Sequence, residues 1–122
     1  MDPQSLSVGE AAARVGLTTH TLRWYEQVGL VDPVGRDTAG RRRYTDHDLA
    51  RLAFLHRMRA TGMPVRDMTR YIRLLRAGPE TVPERRAMLV EHRDRVLAQI
   101  EELRGHLDAI DRKIDNYSEL MT

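Results

Sequence analysis

The chain is 122 residues long, with 41% hydrophobic and 31% charged residues, one Trp, one Phe and no Cys. That length suits one small domain plus an extended element, and the scarce large aromatics leave little material for a big enzyme core. The missing cysteines exclude disulfides, thiolate metal ligands and thiol redox sensing.

The net charge of +2 conceals an asymmetry. Residues 1–77 carry 13 basic and 8 acidic side chains, whereas residues 78–122 carry 7 and 10. A basic front and an acidic rear predict a nucleic-acid-facing end and a solvated end. No apolar run approaches membrane-spanning length, and Met1-Asp2-Pro3-Gln4-Ser5 lacks the basic-then-apolar pattern of a leader, so the expected location is the cytoplasm.

In chain order, Ser7-Val8-Gly9-Glu10 reads as a capping box that opens a helix running to about Val15 and stopped by Gly16. Thr18 or Thr19 caps a second helix to about Val28, closed by Gly29. Two short helices joined by a tight Gly-containing turn predict a helix-turn-helix. Steps of 100° along the second helix put Thr19, His20, Arg23, Trp24 and Gln27 on one arc and Leu22, Tyr25 and Val28 on the other. The polar, basic arc suits a helix entering the major groove, where Arg bonds guanine edges or phosphates.

Residues 31–44 lose helical period and fill with turn formers, so a small hairpin with its tip near Asp37 to Gly40 is predicted. Arg36, Arg41, Arg42, Arg43 and Tyr44 make this hairpin basic, which suits straddling phosphates. Thr45-Asp46-His47-Asp48 caps a third helix to Gly62, with Leu49, Leu52, Leu55 or His56, and Met58 at helical spacing. Pro64 restarts the chain as a fourth helix that ends at Ala77-Gly78-Pro79.

Thr81-Val82-Pro83-Glu84 reads as a further capping box. Beyond it apolar residues repeat every seven positions: Leu89, Val96, Leu103, Ile110 and Tyr117 in one series, Arg93, Ile100, Leu107, Ile114 and Met121 in the other, with Arg93 the one exception among the ten. A helix this long cannot bury its stripe on a domain of residues 1–77, so a second copy is the simplest partner. The alternative is an intramolecular hairpin broken at Gly105. The expected division is a DNA-binding domain over 1–77, a linker over 78–83 and a dimerisation helix over 84–122. The fold class expected is mainly all-α: a winged helix-turn-helix with a small β-hairpin wing, then a coiled-coil helix.

The run Ser7-Val8-Gly9-Glu10-Ala11-Ala12, Gly16-Leu17-Thr18, Thr21-Leu22-Arg23-Trp24-Tyr25-Glu26 and Gly29-Leu30 resembles the N-terminal signature of the MerR family of bacterial transcription regulators. Arg43-Tyr44, Asp48-Leu49 and Leu52 to Met63 continue the likeness. Pro83-Glu84-Arg85 and Leu89-Val90-Glu91-His92 resemble the short aldehyde-responsive subgroup, without its sensing cysteine.

The resemblance implies a homodimer, joined by an antiparallel helix pair through Leu89, Val96, Ile100, Leu103, Leu107, Ile110, Ile114 and Tyr117. It implies a pseudo-palindromic site in a promoter whose spacer is too long, RNA polymerase as a partner there, and control by bending and untwisting the DNA. Carried over by position, Arg23, Trp24 and Tyr25 would lie on the recognition helix, Arg43 and Tyr44 at the wing, and Arg59 near the second DNA-facing helix pair. With Thr18, Thr19 and His20 of the second helix and Arg36, Arg41 and Arg42 of the basic hairpin, they make up the expected DNA-binding residues.

His20, His47, His56, His92 and His106 form no close i,i+4 pair, so neither a metal nor another cofactor is expected. No nucleophile elbow, phosphate loop or acid–base set appears, so the chain is not expected to be an enzyme. An excisionase-like DNA-bending module and a coiled-coil adaptor without DNA affinity are the competing readings.

Overall fold

A computed structural model describes residues 5–31, 35–41 and 43–122. The chain divides into two compact units, Met1–Pro79 and Glu80–Thr122.

The first unit opens with α1 (Val8–Val15). The Ser7 hydroxyl accepts from the Glu10 amide at 3.2 Å, and the Glu10 carboxylate accepts from the Ser7 amide at 3.0 Å. This reciprocal pair satisfies two amides that the first turn leaves without helical partners. The Ser7 amide and then its hydroxyl hold the Glu10 carboxyl below the usual carboxylate range. Gly16 ends α1 at φ 74°, and the Leu17 amide folds back onto the Ala12 carbonyl at 2.9 Å. α2 (Thr19–Gln27) follows at once, with Thr18 as its cap.

After α2 the Leu30 amide returns to the Tyr25 carbonyl at 3.0 Å, and Leu30 and Val31 are buried. Asp32, Pro33 and Val34 lie outside the described residues. The hairpin resumes at Gly35. Asp37 and Arg41 close it through an amide-to-carbonyl bond of 2.9 Å, and the Arg43 amide reaches the Gly35 carbonyl at 2.8 Å. The far arm is anchored by an antiparallel bridge between Leu6 and Tyr44, with 2.7 Å bonds in both directions. The wing is therefore stitched to the residues that lead into α1.

Thr45 and Asp48 cap α3 (Asp46–Ala60) reciprocally, and α4 (Val65–Ala77) starts on Pro64 without a side-chain cap. α1 packs on α2 and on α3, and α3 packs on α4. Ala11, Leu22, Tyr25, Leu30, Tyr44, Leu52, Leu55, Met63, Met68 and Ile72 make the core between them. The ambiguity on α3 resolves in favour of Leu55, which is buried while His56 stays partly exposed.

Gly78 leaves α4 at φ 119° and ψ −177°, a region open in practice only to glycine. Gly78→Ala is expected to cost about 1–3 kcal/mol of stability, read as a shift of the denaturant midpoint without a change of slope.

The segment expected as a linker over 78–83 carries regular backbone. After Gly78, Pro79–Thr81 form one 3-10 turn and α5 (Val82–Leu120) begins directly. The capping box expected at Thr81 does not form. Thr81 sits at ψ 1°, not in the extended geometry that aims a hydroxyl at the helix amides, and its hydroxyl accepts from Arg85 Nε at 3.0 Å instead. α5 runs 39 residues without interruption, through Gly105, so the hairpin alternative falls away. Its length is about 58 Å at 1.5 Å per residue.

Met88 and His92 are buried, but from Leu97 onward every residue of α5 is exposed. The outward positions include Ile100 at 41% exposure and Met121 at 84%. Surface i,i+4 pairs Arg95–Glu91 and His106–Glu102, and Lys113 over the Tyr117 ring at 5.3 Å, brace this stretch locally. Among the described residues, no helix is long and apolar enough to cross a membrane.

Candidate nucleic-acid interface

Thr18 is tied up in capping. Its hydroxyl accepts from the Thr21 amide at 3.1 Å and donates to the Thr21 hydroxyl at 2.9 Å. That fixes the start of α2 and leaves Thr19, His20, Arg23 and Gln27 exposed along one side. Trp24 is partly buried, its ring 5.4 Å from that of Tyr25 and tilted by 54°. Leu22 and Tyr25 face inward as the arc predicts, whereas Val28 is 38% exposed.

A cleft of about 390 Å³ opens beside this face, lined by Ser7, Val8, Arg23, Arg36, Gly40 and Arg41. Three arginines from α2 and the wing thus line one concavity at the start of α1. Positive charge concentrated around a concave surface suits a phosphate chain, which carries one negative charge at every nucleotide.

The wing turn holds two of these arginines in defined places. Arg36 donates through Nη1 to the Gly40 carbonyl at 2.8 Å. Arg41 donates through Nε to the Asp37 carboxylate at 3.1 Å. Asp37 also accepts from the amides of Ala39 and Arg41 at 2.9 and 3.0 Å. The Arg41 amide, helped by the Ala39 amide and the Arg41 charge, holds the Asp37 carboxyl below its usual range. The carboxylate bonds therefore persist above the ordinary carboxylate range and are lost as pH falls through that depressed value.

Three residues expected at the interface have other positions. Tyr25 and Tyr44 are each 1% exposed and belong to the core, so neither side chain reaches a ligand on this surface. Burial also raises the Tyr25 phenol above its usual pKa. Arg43 is half-buried, donating through Nη2 to the Ser5 carbonyl at 2.5 Å and through Nε to the Ser5 hydroxyl at 3.2 Å. It fastens the chain ahead of α1 to the wing. Arg59 is exposed and donates to the Met63 carbonyl at 3.3 Å, across the turn between α3 and α4. Arg42 lies outside the described residues.

Two contributors escaped the sequence reading. Asp37 carries an Asx-turn signal in the spacing Asp37-Thr38-Ala39-Gly40, which marks a turn without announcing an ion pair. Arg76 of α4 donates to the Gly29 carbonyl at 3.1 Å, bracing the end of α2 across 47 residues of sequence, and no local pattern encodes that bond. Among the described residues, no group of His, Asp or Glu is arranged to hold a metal ion.

Residues 6–75 match the family described as MerR HTH family regulatory protein, and residues 49–113 match the one described as MerR, DNA binding. The chain belongs to the MerR family. An HTH-type transcriptional regulator of Haemophilus influenzae is 36% identical over 111 residues, covering 91% of this chain and 82% of the relative. Among solved structures, HiNmlR, a MerR family regulator lacking the sensor domain and bound to promoter DNA, superposes with a TM-score of 0.85. It is 35% identical, and the match covers 94% of this chain and 91% of that one. A MerR family transcriptional regulator from Listeria monocytogenes superposes with a TM-score of 0.86 at 33% identity, covering 93% and 86% of the two chains. The mainly helical fold, with its helix-turn-helix, wing and long C-terminal helix, is thus a MerR fold, and the protein is a transcriptional regulator of the MerR type.

Proposed function

We propose that this MerR regulator is a cytoplasmic homodimer that binds a pseudo-palindrome within a promoter. The observation that carries the reading is the exposed side of α2, with Thr19, His20 and Arg23, beside a cleft that Arg23 shares with Arg36 and Arg41 of the wing. One element faces base edges while its neighbours meet phosphates, the division of labour that sequence-specific duplex binding requires. The promoter DNA bound to HiNmlR supports the same assignment.

Dimerisation rests on α5. Leu89 and Val96 are partly exposed, and Ile100, Leu103, Leu107, Ile110, Ile114 and Tyr117 are exposed along the seven-residue repeat. Such a stripe is stabilised by burial against an equivalent stripe. Charge favours the antiparallel arrangement. Residues 84–96 hold Arg85, Arg86, Arg93 and Arg95 against Glu84, Glu91 and Asp94, whereas residues 108–120 hold Asp108, Asp111, Asp115 and Glu119 against Arg112 and Lys113. An antiparallel pair sets the basic end of one helix against the acidic end of the other, and a parallel pair sets like against like.

A dimer joined along α5 carries two basic heads, one for each half-site of a pseudo-palindrome. On a promoter with an over-long spacer, bending and untwisting the duplex between the heads would bring both promoter elements into reach of RNA polymerase. Arg23→Ala tests the recognition role. Affinity for the preferred duplex is expected to fall by about 1–3 kcal/mol, with discrimination at one base position relaxed. Unchanged affinity and unchanged discrimination would remove Arg23 from that role.

A further inference from the structure

The wing contains a charge arrangement that DNA attraction alone does not call for. Asp37 is an acid inside the most basic stretch of the chain, its side chain 9% exposed, while its partner Arg41 is 78% exposed. The two carboxylate oxygens do different things. Oδ1 accepts from the Ala39 and Arg41 amides and so shapes the turn. Oδ2 accepts from Arg41 Nε. With Nε engaged, the two terminal nitrogens of Arg41 remain the donors for an outside partner, and the guanidinium plane is set by the carboxylate. The same carboxylate offsets the Arg41 charge.

We infer that Asp37 is a positioning and selectivity residue of the wing: it aims the Arg41 guanidinium and cancels its long-range attraction, so that Arg41 rewards a correctly seated duplex more than any passing one. This rests on the reading that the wing faces duplex DNA. An unopposed arginine gains affinity from every phosphate chain it meets, because each neutralised phosphate releases counterions regardless of sequence. A guanidinium held by a carboxylate contributes only when a phosphate lies where its free nitrogens point, and a duplex in register supplies that geometry.

Asp37→Asn separates the two roles. An asparagine oxygen still accepts from the Ala39 and Arg41 amides, while its NH2 group cannot accept from Arg41 Nε. Binding is measured over a salt series with a random-sequence duplex and with the duplex selected by the wild-type protein.

For Asp37→Asn the random-duplex salt slope is expected to steepen by about 0.9, as one more phosphate is neutralised, and the preference for the selected duplex to drop by roughly tenfold. In an Arg41→Ala background the same change at Asp37 should leave both slope and preference unaltered. Asp37→Ala, which removes the turn acceptor as well, should weaken binding to both duplexes.

An Asp37→Asn protein with wild-type slope and preference would overturn the inference, as would an equal effect of that change with and without Arg41. Wild-type binding that is indifferent to Arg41→Ala would overturn it while leaving recognition by α2 intact. A wild-type protein that selects no duplex and does not bind the random one would overturn this inference and the DNA-binding reading together.

Discussion

Leu103→Asp combined with Leu107→Asp is expected to leave the chain monomeric at concentrations where the unaltered protein is expected to dimerise. Leu103 is 66% exposed and Leu107 54% exposed in the single chain, so neither contributes much to the fold of one copy. In the proposed dimer both are covered, and symmetry doubles the effect. Burying a leucine stabilises by about 1.5–3 kcal/mol, so four lost leucines amount to at least roughly 6 kcal/mol before the cost of desolvating aspartates is added. That corresponds to a dissociation constant weakened by about four orders of magnitude. Sedimentation equilibrium reads the change directly. Thermal unfolding of the α1–α4 unit should persist, because its core uses none of these residues. Affinity for a two-half-site duplex should collapse towards that of a single head, since the second contact is no longer intramolecular. A double variant that sediments as the wild-type dimer would place the interface elsewhere.

The second large effect is expected in the head. Leu52 is 0% exposed, in the middle of α3, the helix that packs on both α1 and α4. Leu52→Ala removes three buried carbons and leaves a cavity that neighbours on two sides cannot both close, at a cost of about 2–5 kcal/mol. Against a total stability on the order of 5–15 kcal/mol this is a large fraction. The denaturant midpoint should fall with the slope unchanged, measured at one fixed protein concentration because the proposed dimerisation would contribute to apparent stability. A loss below about 1 kcal/mol would contradict the packing of α3 against both α1 and α4.

The elements most legible in the sequence are those set by neighbours within one turn. Ser7 with Glu10 and Thr45 with Asp48 cap helices where their spacing predicts, and Gly16 stops α1 because a left-handed residue is needed there. Thr81 failed for a reason outside its own four residues. Gly78 and Pro79 impose a 3-10 turn that leaves Thr81 in the wrong backbone region for capping.

The candidate site was legible in its outline, with three side chains placed elsewhere by the structure. Tyr44 looks like a surface residue beside a run of arginines, and the family likeness carries Tyr25 to the recognition surface against its own inward helical register; both are buried, by helices and a bridge that arrive from elsewhere in the chain. Arg43 reads as one more phosphate contact, but Ser5, 38 residues earlier, takes its donors. Arg23, Arg36 and Arg41 did come to one place, because α2 and the wing are consecutive and a short hairpin has few ways to lie. The stripe on α5 was legible because a seven-residue repeat over five turns of the pattern is hard to produce otherwise, although a repeat names a seam and not the molecule across it.

The most direct test is to recover the genomic fragments that the purified, untagged protein retains at physiological salt and read their sequences. A shared pseudo-palindrome is expected between the two promoter elements, in spacers longer than those of neighbouring promoters. Retained fragments with no dyad symmetry, or with symmetric sites outside promoters, would contradict it.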